Sequence, residues 1–294
     1  MSKTLFIFFT AVVCGAQAAT TVNPANNYAY GANIGWMNWH GDTNNGVVIG
    51  EFVCAGYIYA ANAGWIHLGD GSPANGIRYQ NDSSNDFGLN HDGAGNLRGF
   101  AYGANIGWLN FTNRDATGAA FDGPKVNLVT GRLSGFVWSA NCGWVSLSNA
   151  FAHVQTDRQE SGPDTDNDGI PDDWERARSG DLTTLTGSGD NDSDGHSNAE
   201  EYLADTSPLD LNSRLRITSY SASAGGSTST IAWASSPARV YRLLKTNNVA
   251  APLPWPDTGL GLMSPSAGPT TSRTSTESPS SARFFVIEAL KPLR

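Results

Sequence analysis

The strongest constraint on the fold of this chain is a segment written four times. Tyr28-Ala-Tyr-Gly-Ala-Asn33-Ile-Gly-Trp36, Tyr57-Ile-Tyr-Ala-Ala-Asn62-Ala-Gly-Trp65, Phe100-Ala-Tyr-Gly-Ala-Asn105-Ile-Gly-Trp108 and Phe136-Val-Trp-Ser-Ala-Asn141-Cys-Gly-Trp144 align without gaps. From Asn33 through Asn62 and Asn105 to Asn141 the intervals are 29, 43 and 36 residues. An aromatic, aliphatic, aromatic triplet suits the pleated surface of a strand. Asn and Gly both tolerate positive φ, so Ala-Asn-x-Gly is a tight connection and the Trp opens the returning strand. Each unit therefore predicts a β-hairpin. Repetition at this period points to one supersecondary unit stacked on its copies.

Period-two alternation assigns the faces. If Tyr30 lies opposite Trp36, then Ala29 faces Met37 and Tyr28 faces Asn38. The positions one and three after each Trp are Met37/Trp39, Ile66/Leu68, Leu109/Phe111 and Val145/Leu147, all apolar and expected in the core. Each Trp shares the other face with Asn38, His67, Asn110 or Ser146. Two readings compete for that mixed face. Trp36, Trp65, Trp108 and Trp144 could be ligand-facing platforms for carbohydrate, or rungs of a cross-strand aromatic ladder packed under loops or a second layer. The ladder is favoured, because identical spacing in every copy is what a structural repeat needs. Further strands are expected at 47–53, 77–80 and 125–128. Three strands per unit fit a propeller-, prism- or sandwich-like arrangement. The hairpins also resemble an aromatic Asn-x-Gly-Trp repeat of exported bacterial proteins, a resemblance that spans residues 26–150 and carries no activity.

The N-terminus reads as an export signal: Lys3, an apolar stretch from Leu5 to Val13, and the small-x-small pattern at Ala16-Gln17-Ala18. Cleavage is expected after Ala18. Soluble export is favoured over lipid attachment at Cys14, because Val13 is not the small residue a lipobox requires. The secreted chain would keep Cys54 and Cys142, either as a disulfide or as two separate buried thiols. The formal charge of −9 argues against nucleic acid as a partner. The absence of an apolar run of about 18 residues argues against a transmembrane helix.

That charge is concentrated. Between Asp157 and Asp210 there are sixteen Asp and Glu against three Arg, a net of −13, so the rest of the chain carries +4. Such a segment should repel itself unless a cation neutralises it. Asp164-x-Asp166-x-Asp168-Gly169-Ile170-x-Asp172-x-x-Glu175 places carboxylates at positions 1, 3, 5, 9 and 12 of a loop, with Gly at 6. Asp190-x-Asp192-x-Asp194-Gly195-His196-x-Asn198-x-x-Glu201 repeats it with Asn at 9. Both fit the twelve-residue calcium loop, two Ca²⁺ sites in all. Calcium is a hard cation that takes six to eight oxygens at about 2.3–2.6 Å. Short acidic side chains wrap it, position 7 (Ile170, His196) offers its backbone carbonyl, and the Glu at 12 reaches back from the following helix. Helices are expected at 172–178 and 198–204.

These residues resemble the thrombospondin type 3 calcium-binding repeat of exported bacterial proteins and, more distantly, the dockerin loop–helix pair. The first resemblance implies a stalk or joint ordered by metal; the second implies a cohesin partner, though dockerins usually sit at a chain end. Asp205-Thr206-Ser207-Pro208 stands where such repeats often run Gly-Thr-Asp-Pro, so Ser207 removes a carboxylate from any third ligand set.

After 211 the chain turns Ser-, Thr- and Pro-rich, with strands expected at 214–220, 229–233, 240–244 and 283–289, enough for a small β-sandwich. No catalytic signature is present, and the clustered carboxylates are committed to calcium. The chain thus reads as mainly β in four segments: a signal peptide at 1–18, hairpin repeats at 19–150, a calcium module at 151–211 and a sandwich-like part at 212–294. The expected function is binding or architecture at the cell surface, with no enzymatic activity. Partners would be a surface polysaccharide or another surface protein. A carbohydrate-binding protein is the alternative. A glycan-processing hydrolase comes last, since it would need two repeat carboxylates about 5–9.5 Å apart, drawn from Asp42, Asp70, Asp82, Asp86, Asp92, Asp115, Asp122 and Glu51.

Overall fold

The computed structural model describes residues 19–41, 44–114, 117–276 and 282–294. The expected signal peptide, Asp42 and Asp115 lie outside them. The chain is mainly β. The first thirteen strands are β1 (Val22–Gly31), β2 (Gly35–Asn38), β3 (Val48–Ile49), β4 (Cys54–Ala60), β5 (Gly64–Asp70), β6 (Leu89–His91) and β7 (Leu97–Gly103). They continue with β8 (Gly107–Asn110), β9 (Lys125–Val126), β10 (Leu133–Ser134), β11 (Phe136–Ser139), β12 (Gly143–Ser146) and β13 (Val154–Thr156).

The four repeats are the hairpins β1–β2, β4–β5, β7–β8 and β11–β12. Tyr30 pairs with Trp36, Ala29 with Met37 and Tyr28 with Asn38, the register expected from alternation. The hairpins join side by side in chain order, and β12 returns to pair with β1 through Tyr30↔Ser146 and Gly31↔Val145. The result is a closed eight-stranded antiparallel barrel. The sheet is thus closed into a barrel rather than arranged as the propeller, prism or sandwich expected from sequence, and closure removes every edge from the eight hairpin strands. From one hairpin to the next the register advances by two residues, since Asn38 meets Tyr59 just as His67 meets Tyr102 and Asn110 meets Trp138. A steady stagger of this kind is what lets tilted strands close.

Eight strands enclose a space that side chains can fill. Ala29, Met37, Ile58, Ile66, Ala101, Leu109, Val137 and Val145 fill it in the middle, all 1% exposed or less. Trp39, Leu68, Phe111 and Leu147 form the next layer. At the turn end the third residue of each connection, Ile34, Ala63, Ile106 or Cys142, is buried as a plug. Gly31 is required here, since a Cβ would sit 2.7 Å from Cγ2 of Ile34. The turn asparagines lock the same end. Nδ2 of Asn62 donates to the carbonyl of Ile34, Asn105 to Ala63, Asn141 to Ile106, and Asn33 closes the circle on Cys142, at 3.0–3.2 Å.

Three hairpins also carry a short third strand, β3 on β4, β6 on β7 and β13 on β1, while β9 pairs with β10, the short strand just before β11, as a separate two-stranded sheet. The stretch 77–80 forms no strand. Tyr79 is instead an anchor, its hydroxyl donating to Asp70 and accepting from the backbone N–H of Gly71. Cys54 and Cys142 are two separate buried thiols and no disulfide forms; burial pushes the Cys54 thiol up to about 12.

The acidic segment holds the helices α1 (Asp172–Ser179) and α2 (Asn198–Ala204), as expected. Beyond it come β14 (Ile217–Ala222), β15 (Thr228–Ala234), β16 (Val240–Thr246), β17 (Thr270–Thr276) and β18 (Phe284–Leu290). A three-stranded sheet, β14-β15-β17, and a two-stranded sheet, β16-β18, share a core of Ile231, Trp233, Tyr241, Leu243 and Met263.

Candidate metal centres

The two acidic loops adopt the same backbone path. Position 4 takes positive φ in both (Asn167, 61°; Ser193, 63°), and so does position 6 (Gly169, 94°; Gly195, 95°). The first aspartate organises each loop identically. Asp164 accepts the N–H groups of Asp168 and Gly169, and Asp190 accepts those of Asp194 and Gly195. Asp168 and Asp194 accept in turn from Ile170 and His196. In consequence one carboxylate oxygen from each of Asp164, Asp166 and Asp168 comes within 4.8 Å of the others, and Asp190, Asp192 and Asp194 do the same.

The helices supply the last position. α2 starts on a capping box, Ser197 accepting from the N–H of Glu200 while the Glu200 carboxylate accepts from that of Ser197. α1 starts after Pro171 and ends on Gly180 at φ 89°. Glu175 and Glu201 therefore fall in the first helical turns, buried at 0% and 1% exposure. Both oxygens of Glu175 lack any hydrogen-bond partner, as do Oε2 of Glu201, Oδ2 of Asp192 and Oδ2 of Asp194. Burial pushes the Glu175 carboxyl up to about 7, with repulsion from Asp168, Asp166, Asp172 and Asp164 adding to it. Glu201 also rises to about 7 through burial; its Thr206 hydrogen bond opposes the shift, and Asp192, Asp194 and Asp190 reinforce it. Buried carboxylates with no donor, ringed by further carboxylates, are costly to the fold unless a cation joins them. An all-oxygen donor set of this kind suits a hard divalent ion.

Position 9 does something else. Both oxygens of Asp172 accept from Thr165, through its backbone N–H and its hydroxyl. Asn198 donates to the side chain of Asn191. These residues tie position 9 to position 2 and close the loop on itself, although Oδ1 of Asn198 stays buried and unpartnered. The side chain of His196 is exposed and that of Ile170 is buried in the module core, so neither side chain is placed as a ligand.

Ile170, Trp174, Leu185 and Tyr202 form that core, with Phe52 borrowed from the barrel. Leu203 and Leu209 of the same segment are exposed. Sequence inspection misses the joint beside it. Glu51 (barrel), Tyr202 (α2), and Arg239 and Lys291 (C-terminal part) meet in one buried cluster. Oε1 of Glu51 lies 3.1 Å from Arg239, and its Oε2 accepts from Lys291 at 2.8 Å and from the Tyr202 hydroxyl at 2.7 Å. Arg239 also donates to the carbonyls of Leu203 and Tyr202, and Lys291 to Ser161 and Tyr202. Burial acts to raise the Glu51 pKa, but the cations of Arg239 and Lys291 outweigh it and hold the group below its ordinary range. The joint thus links all three parts of the chain, and Tyr202 is the immediate neighbour of the loop carboxylate Glu201.

The aromatic face stands apart from this region. Tyr30–Trp36, Tyr59–Trp65, Tyr102–Trp108 and Trp138–Trp144 repeat one geometry, with centroids 4.8–5.0 Å apart and planes at 55–59°. The ladder is present; the loop residues Phe87 and Phe121 pack edge-on against Trp108 and Trp144, yet among the described residues the four repeat tryptophans remain 41–46% exposed. The polar residues among the rings hold backbone. Asn38 accepts from His40 and Gly41, Asn110 bridges Thr112 and Arg114, and Ser146 donates to Ser148. His67 stacks on Tyr57 at 4.6 Å.

A cleft of about 820 Å³ separates the barrel flank from the module, lined in part by Asp70, Asp172 and Asp173. Its carboxylates are engaged with Tyr79, Thr165 and the N–H of Trp174. The other described repeat carboxylates with partners are held in the same way: Asp86 by Ala74 and Gln80, Asp92 by Ala94 and Asn96, Asp122 by Lys125. No helix among the described residues is long and apolar enough to cross a membrane. No protein-family model, curated protein or solved structure matches the chain.

Proposed function

We propose that this is an exported, calcium-binding protein of the cell surface. In this reading two Ca²⁺ ions order the acidic module and so fix how the barrel and the C-terminal sheets face each other, for adhesion or assembly. The observation that carries the reading is Glu175, fully buried, with both oxygens unpartnered beside three more loop carboxylates. The second loop repeats the arrangement in part around Glu201, whose Oε2 is unpartnered while Oε1 accepts from Thr206.

Asp164, Asp166, Asp168 and Glu175 would hold one ion through their side chains, and Asp190, Asp192, Asp194 and Glu201 the other, with the carbonyls of Ile170 and His196 completing each set. A bound ion supplies positive charge where the fold has buried only negative charge. Energetics favour a folding role for it. Four buried apolar side chains cannot offset the ordering of segment 157–210, at roughly 1–2 kcal/mol per residue for the backbone alone. Two Ca²⁺ reduce the segment's charge from −13 to −9, and free calcium at 100 times the dissociation constant adds about 2.7 kcal/mol per independent site.

Calorimetric titration of the chelated protein should give two sites per chain, and X-ray scattering should show a defined shape with calcium and a broader one in chelator. Asp164→Ala combined with Asp190→Ala should reproduce the chelator profile with the barrel still folded. Identical scattering in the two conditions would refute the joint, and the absence of binding heat would refute the metal.

A further inference from the structure

The four hairpins contain no Lys, Arg, Asp or Glu between residues 28 and 39, 57 and 68, 99 and 111, or 135 and 148. In a chain of net charge −9 this leaves one end of the barrel free of charge around its whole circumference. That end is also the aromatic one. Following the register across neighbouring hairpins, the outer surface repeats a row of aromatic, small polar or imidazole, aromatic, Trp. One such row is Tyr28, Asn38, Tyr59, Trp65, and the last, formed where β12 meets β1, is Phe136, Ser146, Tyr30, Trp36.

We infer that this belt is a binding surface for a neutral polysaccharide, presenting four repeated platforms, each built on one repeat tryptophan.

Three features select that partner. Its chemistry must be uncharged, because no Lys, Arg, Asp or Glu within those four stretches is there to pair with a phosphate, carboxylate or ammonium group. It must also offer both apolar faces and hydroxyls. Trp36, Trp65, Trp108, Trp144, Tyr30, Tyr59 and Tyr102 are half-exposed, and none of their indole N–H or hydroxyl groups donates a hydrogen bond within the chain among the described residues. Rings with an apolar body and a free polar tip suit a pyranose, which has an apolar face and an equatorial rim of hydroxyls. Finally, the partner must follow a curved surface. Neighbouring platforms are two strand spacings apart, about 10 Å along the hydrogen-bonding direction, comparable with a disaccharide. A flexible chain can follow successive platforms round a barrel, whereas a flat bilayer touches only one flank. Occupying several platforms at once raises the apparent affinity without any new contact.

The test uses the full chain with calcium present and a panel of soluble neutral polysaccharides: a mixed-linkage β-glucan, a xylan and a galactomannan. Affinity electrophoresis should show retardation by at least one of them. Each single Trp36→Ala, Trp65→Ala, Trp108→Ala or Trp144→Ala change should weaken binding about 2- to 10-fold, and Trp36→Ala with Trp108→Ala should weaken it by more than either alone. A measurement without variants guards against misfolding: the polysaccharide should protect wild-type indoles from acrylamide quenching. Absence of binding to every member, retardation unchanged by the substitutions, or unchanged quenching would overturn the inference. So would belt-dependent binding to phosphatidylcholine vesicles, or belt-dependent dimerisation in sedimentation, without polysaccharide binding.

Discussion

Replacing Glu51 with Gln tests the joint at its centre. Glu51 is 5% exposed and the Arg239 side chain 1% exposed, so neither can recover hydration when the other is lost. Gln keeps the shape, and its oxygen can take the place of Oε1 beside Arg239, but without the charge. Its amide nitrogen, however, would face the Lys291 ammonium and the Tyr202 hydroxyl, both of which donate to Oε2 in the native protein. Breaking a buried pair by removing one charge costs about 3–5 kcal/mol, most of it the uncompensated partner. The loss falls on docking of α2 rather than on barrel folding, because the barrel core lies in a separate cluster of side chains. At about 1.4 kcal/mol per decade, 3–5 kcal/mol corresponds to roughly 100- to 4000-fold faster exchange through local opening. Native-state hydrogen exchange, in calcium and at fixed pH, should therefore show the amides of α2 losing protection by that factor while those of Ile58, Ile66 and Leu109 keep theirs. Unchanged protection in α2 would refute the view that this cluster holds the joint.

Acid should act on the same group. The Glu51 pKa is depressed below its ordinary 4.5, so its contribution is complete above 4.5 and lost only as pH falls through the lower folded value. In saturating calcium, the protection factors of the α2 amides should stay flat from neutral pH to about 5 and fall below the ordinary carboxylate range; in Glu51→Gln that part of the acid response should vanish. In the barrel, Gly99→Ala should be strongly destabilising. Gly99 sits at φ 118°, and an added Cβ would lie 2.1 Å from the carbonyl of Gly88, so a loss above about 2 kcal/mol is expected by denaturant titration. Gly118→Ala, also at positive φ (83°) but with open space around it, should cost only about 1 kcal/mol. Equal losses at the two sites would show that the close approach is not what matters.

Much of the hairpin geometry was legible because it is local. Alternation around a short turn dictates that Tyr30 meets Trp36, and the same logic placed Met37, Ile66, Leu109 and Val145 inside. The shared backbone path of the two acidic loops was legible for a similar reason, since their spacing encodes position along one continuous turn. Closure was not legible. The pairing of Tyr30 with Ser146 joins segments more than a hundred residues apart and depends on strand number and stagger, which no single repeat carries. Strand β17 was missed because its sequence is Thr-Thr-Ser-Arg-Thr-Ser-Thr. Its inward positions are Thr271 and Ser275, buried without the apolar alternation that marks a strand. Glu51, Arg239 and Lys291 look like ordinary surface charges in sequence, and only tertiary structure gathers them.

The barrel's ends meet. Asp157 donates its N–H to the carbonyl of Thr21, and the side chain of Asn23 donates to the Asp157 carboxylate at 2.8 Å. With the asparagine circle closed by Asn33 on Cys142, the first hairpin relates to the fourth as the second does to the first. The unit has a chain start but no geometric beginning, so a circular permutant opened between any two hairpins should retain the same neighbours. The same closure caps the repeat number: a fifth hairpin could not be appended as in an open solenoid, because ten strands would need a wider barrel and a different core.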